Sequence, residues 1–270
     1  MNHLQLLQQV YPAGEARALY RMVMEECFGL SQTQLLLGKD KDLSADECKE
    51  LANIIDRLLQ KEPVQYILGY ADFCQHRFRV EPGVLIPRPE TEELVRLVAE
   101  RHAAPLDMLD VGTGSGCIAI SLALEGHHVT AYDISSEALR IARGNALNLG
   151  ASVDFQQVDI LHADTSRQWD VIVSNPPYIC RGEASEMDAN VLDYEPHTAL
   201  FVPDEDPLLF YRAIAHFAAG HLTRGGALYF ECNRAFVHEV AQLMRTLGFS
   251  QVEERNDMFD NPRFAIGVWL

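Results

Sequence analysis

The stretch Met108-Leu-Asp-Val-Gly112-Thr-Gly-Ser-Gly116, which continues as Cys117-Ile-Ala-Ile-Ser-Leu-Ala123, decides the fold of this chain. A short apolar strand runs into a glycine-rich turn, and the turn leads directly into an apolar helix. Glycines at such a turn allow a ligand to approach the backbone closely at the carboxyl edge of a parallel sheet. The stretch therefore predicts the first strand–turn–helix unit of a doubly wound α/β domain.

Strand-like and helix-like segments alternate from this unit to the end of the sequence. The alternation predicts a Rossmann-like sheet of seven mostly parallel strands with helices on both faces, closed by an antiparallel hairpin. The predicted strands are 107–111, 128–133, 152–156, 169–174, 226–231, 250–255 and 263–269, and the predicted helices are 116–125, 136–148, 207–220 and 234–247.

The residues before this α/β domain, which we place at 90–270, have other patterns. Residues 1–62 carry apolar side chains at helical spacing and predict a small helical-bundle domain. Ser31-Gln-Thr-Gln34 and Ser44-Ala-Asp-Glu47 have the spacing of capping boxes at helix starts. Residues 63–89 predict a β-hairpin linker, because the short β-prone pieces 64–68, 78–80 and 84–86 alternate there with glycine and proline.

The composition predicts a soluble cytoplasmic protein. The six cysteines are widely spaced, as is typical of reduced thiols, and neither a signal peptide nor a membrane span is recognisable. No group of histidines has metal-ligand spacing, so we predict no metal site. The formal net charge of −17 argues against tight nonspecific binding to nucleic acid. Whether this charge only maintains solubility or also favours a basic partner stays open.

The spacing of the glycines distinguishes between classes of ligand. A dinucleotide fingerprint requires a third glycine at position 117, which is cysteine, and a P-loop requires a lysine, but none follows Lys61. The pattern suits a nucleoside without a pyrophosphate, with a simple tight turn as the alternative. Asp133 ends the second strand, where it would accept hydrogen bonds from ribose hydroxyls. Asp159 follows the third strand, where an adenine amino group would lie.

The strongest signal is Asp170-Val-Ile-Val-Ser-Asn175-Pro-Pro-Tyr178, in which an apolar strand ends at the same sheet edge as the glycine turn. Two prolines cannot continue a ladder, because they lack N–H donors. Their fixed φ would hold the Pro176 carbonyl and the Asn175 side-chain oxygen in one concave turn. Two acceptors directed at one spot suit a planar NH2 group, whereas the alternative is an edge turn with a surface tyrosine.

These motifs resemble the class I S-adenosylmethionine-dependent methyltransferases, and more closely the protein-glutamine N5-methyltransferases that act on peptide chain release factors. The resemblance covers nearly the whole chain, including Glu62-Pro-Val-Gln-Tyr-Ile-Leu-Gly69, Leu85-Ile-Pro-Arg-Pro-Glu-Thr91 and Tyr194-Glu-Pro196. It implies a class I methyltransferase fold and transfer of the S-adenosylmethionine methyl group to the glutamine of the Gly-Gly-Gln loop in release factors, with S-adenosylhomocysteine as product.

The resemblance also implies roles for individual residues. Asn175, Pro176 and Tyr178 would be catalytic, and together with Pro177 they would bind the substrate amide. The amide nitrogen would attack the methyl group in line, without an assigned general base. We expect a monomer that contacts neither nucleic acid nor membrane. The cofactor would be bound by Gly112, Thr113, Gly114, Ser115, Gly116, Asp133, Asp159, Ile160 and Asn175.

Two positions depart from the family pattern. Ile160 stands where some relatives have an aromatic residue against the adenine, and Glu231-Cys-Asn233 replaces a more usual Glu-x-Gly, so we assign no role to that strand end. Arg88 and Glu90 have two open interpretations, as part of the site entrance or as an interdomain salt bridge.

Three other functions remain open at this stage. A ribosomal protein could be the glutamine substrate, a nucleobase amino group could replace the amide, or the fold could bind its ligand without catalysis. Residues 1–72 contain 7 Lys and Arg against 11 Asp and Glu, which favours a protein substrate over a nucleic acid.

Overall fold

A computed structural model describes residues 3–270 of the chain, apart from the side chain of Glu186. Contacts divide the chain into two units. The first extends to Tyr70 and includes Asp188–Tyr194, and the second contains Ala71–Met187 and Glu195–Leu270. The predicted boundaries at residues 62 and 89 stay a prediction.

Helices account for most of the first unit and alternate with strands in the second. Within residues 3–270, no helix combines the length and the apolar character needed to cross a bilayer. The helices are α1 His3–Leu7, α2 Ala13–Phe28, α3 Gln32–Leu36, α4 Ala45–Leu59, α5 Val64–Leu68, α6 Pro89–Arg101, α7 Cys117–Leu124, α8 Ser136–Leu149, α9 Ala189–Tyr194, α10 His197–Leu200, α11 Leu209–His221 and α12 Val237–Leu247.

The helical unit confirms both capping boxes. Ser31 begins α3 and Ser44 begins α4, and each serine accepts a hydrogen bond from the backbone amide three residues later, while the glutamine or glutamate there binds the serine amide. The apolar faces of these helices meet in one core, whose fully buried members include Leu7, Met24 and Leu58.

The predicted β-prone piece 64–68 is wrong, because Val64–Leu68 forms helix α5. Pro63 provides the helix start, and Gly69 ends the helix in the left-handed conformation with φ of +82°. Burial of Val64 in the helical core outweighs the β-propensity of its branched side chain. Val84–Ile86 is also not a strand, whereas a hairpin does form, from β1 Tyr70–Phe73 and β2 His76–Arg79.

The second unit contains the predicted seven-stranded sheet. Its order is β10-β11-β9-β6-β3-β4-β5, in which β11 runs antiparallel to both of its neighbours, β10 and β9, and the strands from β9 to β5 pair in parallel. A short separate pair joins β7 to β8. The strands are β3 Asp107–Val111, β4 His128–Asp133, β5 Val153–Gln157, β6 Trp169–Ser174, β7 Ile179–Cys180, β8 Phe201–Val202, β9 Leu222–Glu231, β10 Ser250–Asn256 and β11 Pro262–Val268.

The strand order reverses between β3 and β6, and this positions the site. The chain proceeds outward from β3 to β4 and β5 and then returns to the other side of β3 as β6. Ligands of doubly wound folds bind at such a reversal, beyond the carboxyl ends of the strands. Gly112 follows β3 and Asn175 follows β6, so both turns lie at this point.

Gly116 allows α7 and α8 to pack closely. Its φ is +83°, and a Cβ there would lie 2.8 Å from Ile120 Cδ1 and 3.0 Å from Ala142 Cβ. The isoleucine tip could rotate away, but Ala142 Cβ is fixed to the α8 backbone. Gly126 has a similar φ of +98° with nothing within 4 Å of the added carbon.

We therefore expect Gly116→Ala to destabilise the protein by about 1–3 kcal/mol more than Gly126→Ala, because only the first adds overpacking to backbone strain. Urea denaturation of the two variants without cofactor measures the difference. If both variants lost the same free energy of unfolding, the close packing of α7 on α8 would not explain why position 116 is glycine.

Candidate active site

The glycine turn is attached to the end of the neighbouring strand. The amides of Gly112 and Thr113 both donate to the carbonyl of Tyr132, at 2.8 and 3.0 Å, and the Gly116 amide donates to the Thr113 carbonyl at 2.8 Å. Gly112 and Gly114 have φ values of +79° and +56°. These left-handed conformations favour glycine and give the turn its exposed inner edge.

Asp133 supports the same turn from the end of β4. One carboxylate oxygen accepts the Gly114 amide and the other accepts the Ser135 amide, both at 2.8 Å. Burial raises the pKa of Asp133, and the two amide hydrogen bonds oppose that shift. The side chain thus faces the glycine turn, and its remaining lone pairs can accept further hydrogen bonds. Its binding to ribose stays a prediction.

A second carboxylate lies below the turn and was not predicted. Asp110 in β3 is fully buried, and one of its oxygens accepts the Thr113 hydroxyl at 2.6 Å and the Ala119 amide at 3.2 Å. Burial raises the pKa of Asp110 to about 7. Asp110 therefore connects the turn to the start of α7. Its position two residues before Gly112 was the sequence feature that could have predicted this role.

The geometry of the turn fits the sulfonium nucleoside that the resemblance implies. A Cβ at Gly114 would meet nothing within 4 Å, and one at Gly112 would lie 4.0 Å from the Asn175 carbonyl. Open space therefore borders the turn at Gly114, and Gly112 lies next to the Asn175 carbonyl at the start of the next motif. The Asp133 carboxylate at the turn suits a cationic ligand, and Ser115 adds a buried hydroxyl.

Asp159 and Ile160 follow β5 at the same sheet edge. The Val158 amide donates to the Asp133 carbonyl at 3.0 Å, which ties this segment to the end of β4. Asp159 already accepts the Leu161 amide at 3.0 Å and contacts His162 Nδ1 at 2.8 Å, and the histidine lowers the pKa of this carboxyl. Its binding to an adenine stays a prediction, as does the role of the half-buried Ile160.

The Asn175-Pro-Pro-Tyr178 turn is anchored at both ends. Before it, the Ser174 hydroxyl donates to the Val111 carbonyl at 2.7 Å and joins the end of β6 to that of β3. The Asn175 amide nitrogen donates to the Thr91 hydroxyl oxygen at 3.1 Å. The Tyr178 hydroxyl donates to a carboxylate oxygen of Glu231 at 3.3 Å.

Thr91 and Glu231 are therefore part of the site, although the sequence assigned them no role. Thr91 donates its hydroxyl proton to the second oxygen of Glu231 at 2.7 Å, and the two residues are only 3% and 1% exposed. Burial raises the pKa of Glu231 to about 7, while the hydrogen bond from Thr91 and the positive charge of Arg263 oppose the shift. Burial and the charge of Glu231 likewise raise the pKa of Tyr178.

Asn233 fixes the chain beyond Tyr178. Its amide nitrogen lies 3.2 Å from the Tyr178 carbonyl and 3.2 Å from the Glu183 carboxylate, and both contacts are hydrogen bonds. A cavity of about 270 Å³ opens beside these groups, lined by Tyr178, Ile179, Glu183, Met187, Asn233, Arg234 and Arg263. The departure from the family pattern at Asn233 thus links the end of β9 to the Asn175-Pro-Pro-Tyr178 turn.

Arg88 forms an ion pair, one of its two open interpretations, but within the second unit rather than between the units. It donates to Glu195 at 2.5 Å, and Glu195, which is 1% exposed at its side chain, also accepts the Ile86 amide at 3.0 Å. The ion pair joins two of the stretches that carry the resemblance. Arg88 belongs to Leu85-Ile-Pro-Arg-Pro-Glu-Thr91, and Glu195 belongs to Tyr194-Glu-Pro196. A role for Glu90 at the site entrance stays a prediction.

Comparisons with known proteins agree with this geometry. Residues 90–192 match the family model of the methyltransferase small domain, and residues 4–69 match that of the PrmC N-terminal domain. A release factor glutamine methyltransferase of Bacteroides thetaiotaomicron is 49% identical over 96% of this chain and 95% of its own length. One from Flavobacterium psychrophilum is 38% identical over 96% and 94%.

A solved structure supports the fold. The crystal structure of a methyltransferase from Pyrococcus furiosus superposes with a TM-score of 0.54 and 19% identity, covering 80% of this chain and 98% of that one.

Proposed function

The chain belongs to the release factor glutamine methyltransferase family, and we propose that it methylates the glutamine of the Gly-Gly-Gln loop in peptide chain release factors. The accepting atom is the side-chain amide nitrogen, N5. The observation that carries the proposal is the position of the glycine turn and the Asn175-Pro-Pro-Tyr178 turn side by side at the reversal of strand order.

S-adenosylmethionine supplies the methyl group as an electrophile on its sulfonium and leaves as S-adenosylhomocysteine. In our proposal Gly112–Gly116 hold it through backbone contact and Asp133 accepts its ribose hydroxyls. Asp159 and Ile160 contact the adenine. The open inner edge of the turn and the orientation of the Asp133 carboxylate support these assignments.

The protein's own contribution is placement of the substrate amide. An amide nitrogen is a poor nucleophile, because its lone pair is delocalised into the carbonyl. The Asn175 side-chain oxygen and the Pro176 carbonyl accept its two N–H groups and orient the lone pair, and placement of this kind supplies up to about 7–11 kcal/mol of a barrier. The same two acceptors stabilise the positive charge that develops on nitrogen. The methylated nitrogen then loses one proton to solvent, which gives the neutral N-methyl amide. Tyr178, held by Glu231, packs against the amide.

The helical unit selects the protein partner in this proposal, and the enzyme acts as a cytoplasmic monomer. The acidic balance of residues 1–72 supports a protein rather than a nucleic acid as substrate. The same charge favours a partner whose contact surface is basic.

The test is mass spectrometry of a purified release factor after incubation with the enzyme and S-adenosylmethionine. We expect a mass increase of one CH2 group, located on the glutamine of the Gly-Gly-Gln peptide. A release factor with that glutamine replaced by alanine is the control and should stay unmodified. A methyl group on a ribosomal protein or an oligonucleotide, with none on the release factor, would overturn the proposal.

A further inference from the structure

Three elements that are distant in the sequence meet behind Asn175. Thr91 lies in the first turn of α6, Glu231 ends β9, and Asn175 follows β6. Their side chains form one chain of hydrogen bonds, from the Asn175 amide nitrogen to Thr91 Oγ1 at 3.1 Å and from the Thr91 hydroxyl to Glu231 Oε2 at 2.7 Å. The other oxygen of Glu231 accepts the Tyr178 hydroxyl at 3.3 Å.

The chemistry of these groups determines which of them donates and which accepts in each hydrogen bond. An ionised carboxylate only accepts hydrogen bonds, so Thr91 must give its single proton to Glu231. The Thr91 oxygen is then left as an acceptor, and only the NH2 end of the Asn175 amide can face it. The oxygen end of Asn175 is consequently the end that remains available to a ligand.

We propose that Thr91 and Glu231 are positioning residues that hold the Asn175 side-chain amide with its oxygen toward the substrate. The inference rests on the proposed function, in which that oxygen accepts an N–H of the substrate glutamine. It gives a role to the last residue of Leu85-Ile-Pro-Arg-Pro-Glu-Thr91 and to the strand end at Glu231.

Burial makes the arrangement strict. Both Thr91 and Glu231 are almost inaccessible to solvent, so water does not readily replace a lost partner. A valine at position 91 would leave the Glu231 oxygen and the Asn175 NH2 group without a partner, and either end of the Asn175 amide could then face the substrate. When the NH2 end of Asn175 faces the substrate, the turn loses one of its two acceptors, and only the Pro176 carbonyl remains.

Protonation of Glu231 reverses the direction of the hydrogen bonds that run through Thr91 to Asn175. A protonated Glu231 can donate to Thr91, whose own proton then favours the oxygen end of Asn175. Burial brings the pKa of Glu231 to about 7, and Arg263 attracts and Glu90 repels its charge. The groups that face it are Glu90 and Thr91 on α6, Tyr178 after β6, Tyr211 on α11, the adjacent Cys232 and Arg263 on β11. Lower pH therefore disfavours the productive orientation.

The experiment measures kcat for release factor methylation and, separately, the Kd of S-adenosylmethionine. Thr91→Val should lower kcat about tenfold, the equivalent of one hydrogen bond, and leave Kd unchanged. Thr91→Ser, which keeps the hydroxyl, should restore most of the kcat. Thr130→Val is the matched control, because Thr130 is a buried threonine on β4 whose hydroxyl finds no partner in the described part of the chain.

Two further measurements separate positioning from a structural role. In an Asn175→Ala background, Thr91→Val should lower kcat no further, because Thr91 acts on the substrate only through Asn175. We expect kcat of the unaltered enzyme to fall on the acid side of pH 7, and Glu231→Gln should abolish that fall. The inference would be overturned if the two substitutions lowered kcat additively in the double variant. It would also be overturned if kcat of Glu231→Gln still fell on the acid side of pH 7. Absence of methyl transfer by the unaltered enzyme would instead refute the proposed function, and the inference with it.

Discussion

Replacement of Asn175 by alanine should lower kcat by about 10²–10³-fold, the usual loss when one preorganised polar group facing a developing charge is removed. The substrate amide would lose the acceptor that orients its lone pair, and the positive charge on nitrogen would lose a nearby oxygen. The Asn175 amide nitrogen is held by Thr91, and in our proposal Asp133 rather than Asn175 accepts the ribose hydroxyls. Binding of S-adenosylmethionine should therefore change by less than about threefold, a small energy on the scale of one hydrogen bond.

Single-turnover kinetics and calorimetric titration measure these two quantities. Asn148→Ala, at an exposed asparagine on α8, is the control and should alter neither. Equal losses in kcat and in cofactor affinity would contradict the assignment of Asn175 to the substrate, because they would place its main contact on the cofactor.

Asp133→Ala should have the opposite profile, with a Kd for S-adenosylmethionine raised about 10–100-fold. Hydrogen bonds to a charged group contribute about 1.5–3 kcal/mol each, which corresponds to that range. The variant also releases the Gly114 amide that Asp133 holds at 2.8 Å, so the glycine turn becomes less ordered. At saturating cofactor, kcat should fall much less than the affinity, because the substrate amide is bound elsewhere.

Isothermal titration calorimetry checks this result directly. Asp164→Ala removes one negative charge from an exposed position and should leave Kd unchanged, which excludes a general effect of net charge on the cationic cofactor. An unchanged Kd in Asp133→Ala would refute the ribose assignment.

The sheet was largely predictable from the sequence, because its strands are short apolar runs bounded by turn residues. The strands 107–111, 128–133 and 169–174 have the predicted limits, and β9 begins earlier than predicted, at Leu222. The failure at 64–68 has a tertiary cause, since burial in the helical core and flanking caps selected a helix. The short elements between Ile179 and Val202 carry too few residues to show a period.

The proximity of the local motifs was predictable, whereas their binding roles stay predictions. Gly112–Gly116, Asp133 and Asn175 do lie at one sheet edge, because parallel strands end there together. Thr91 and Glu231 were missed because they are 140 residues apart and meet only through the packing of α6 on β9. No periodicity or spacing reveals a contact of that kind.

The two functional turns extend from β3 and β6, which are adjacent strands of one ladder. Backbone hydrogen bonds keep neighbouring strands about 4.8 Å apart, so the sheet sets the spacing of the two turns, while in our proposal the side chains of Thr91 and Glu231 set the orientation of Asn175. In our proposal the helical unit selects the partner, so sequence changes there can alter which protein is modified without disturbing that spacing. We expect the amides of β3 and β6 to be among the slowest in the protein to exchange with deuterated solvent, and to stay slow when substitutions in the helical unit alter substrate specificity.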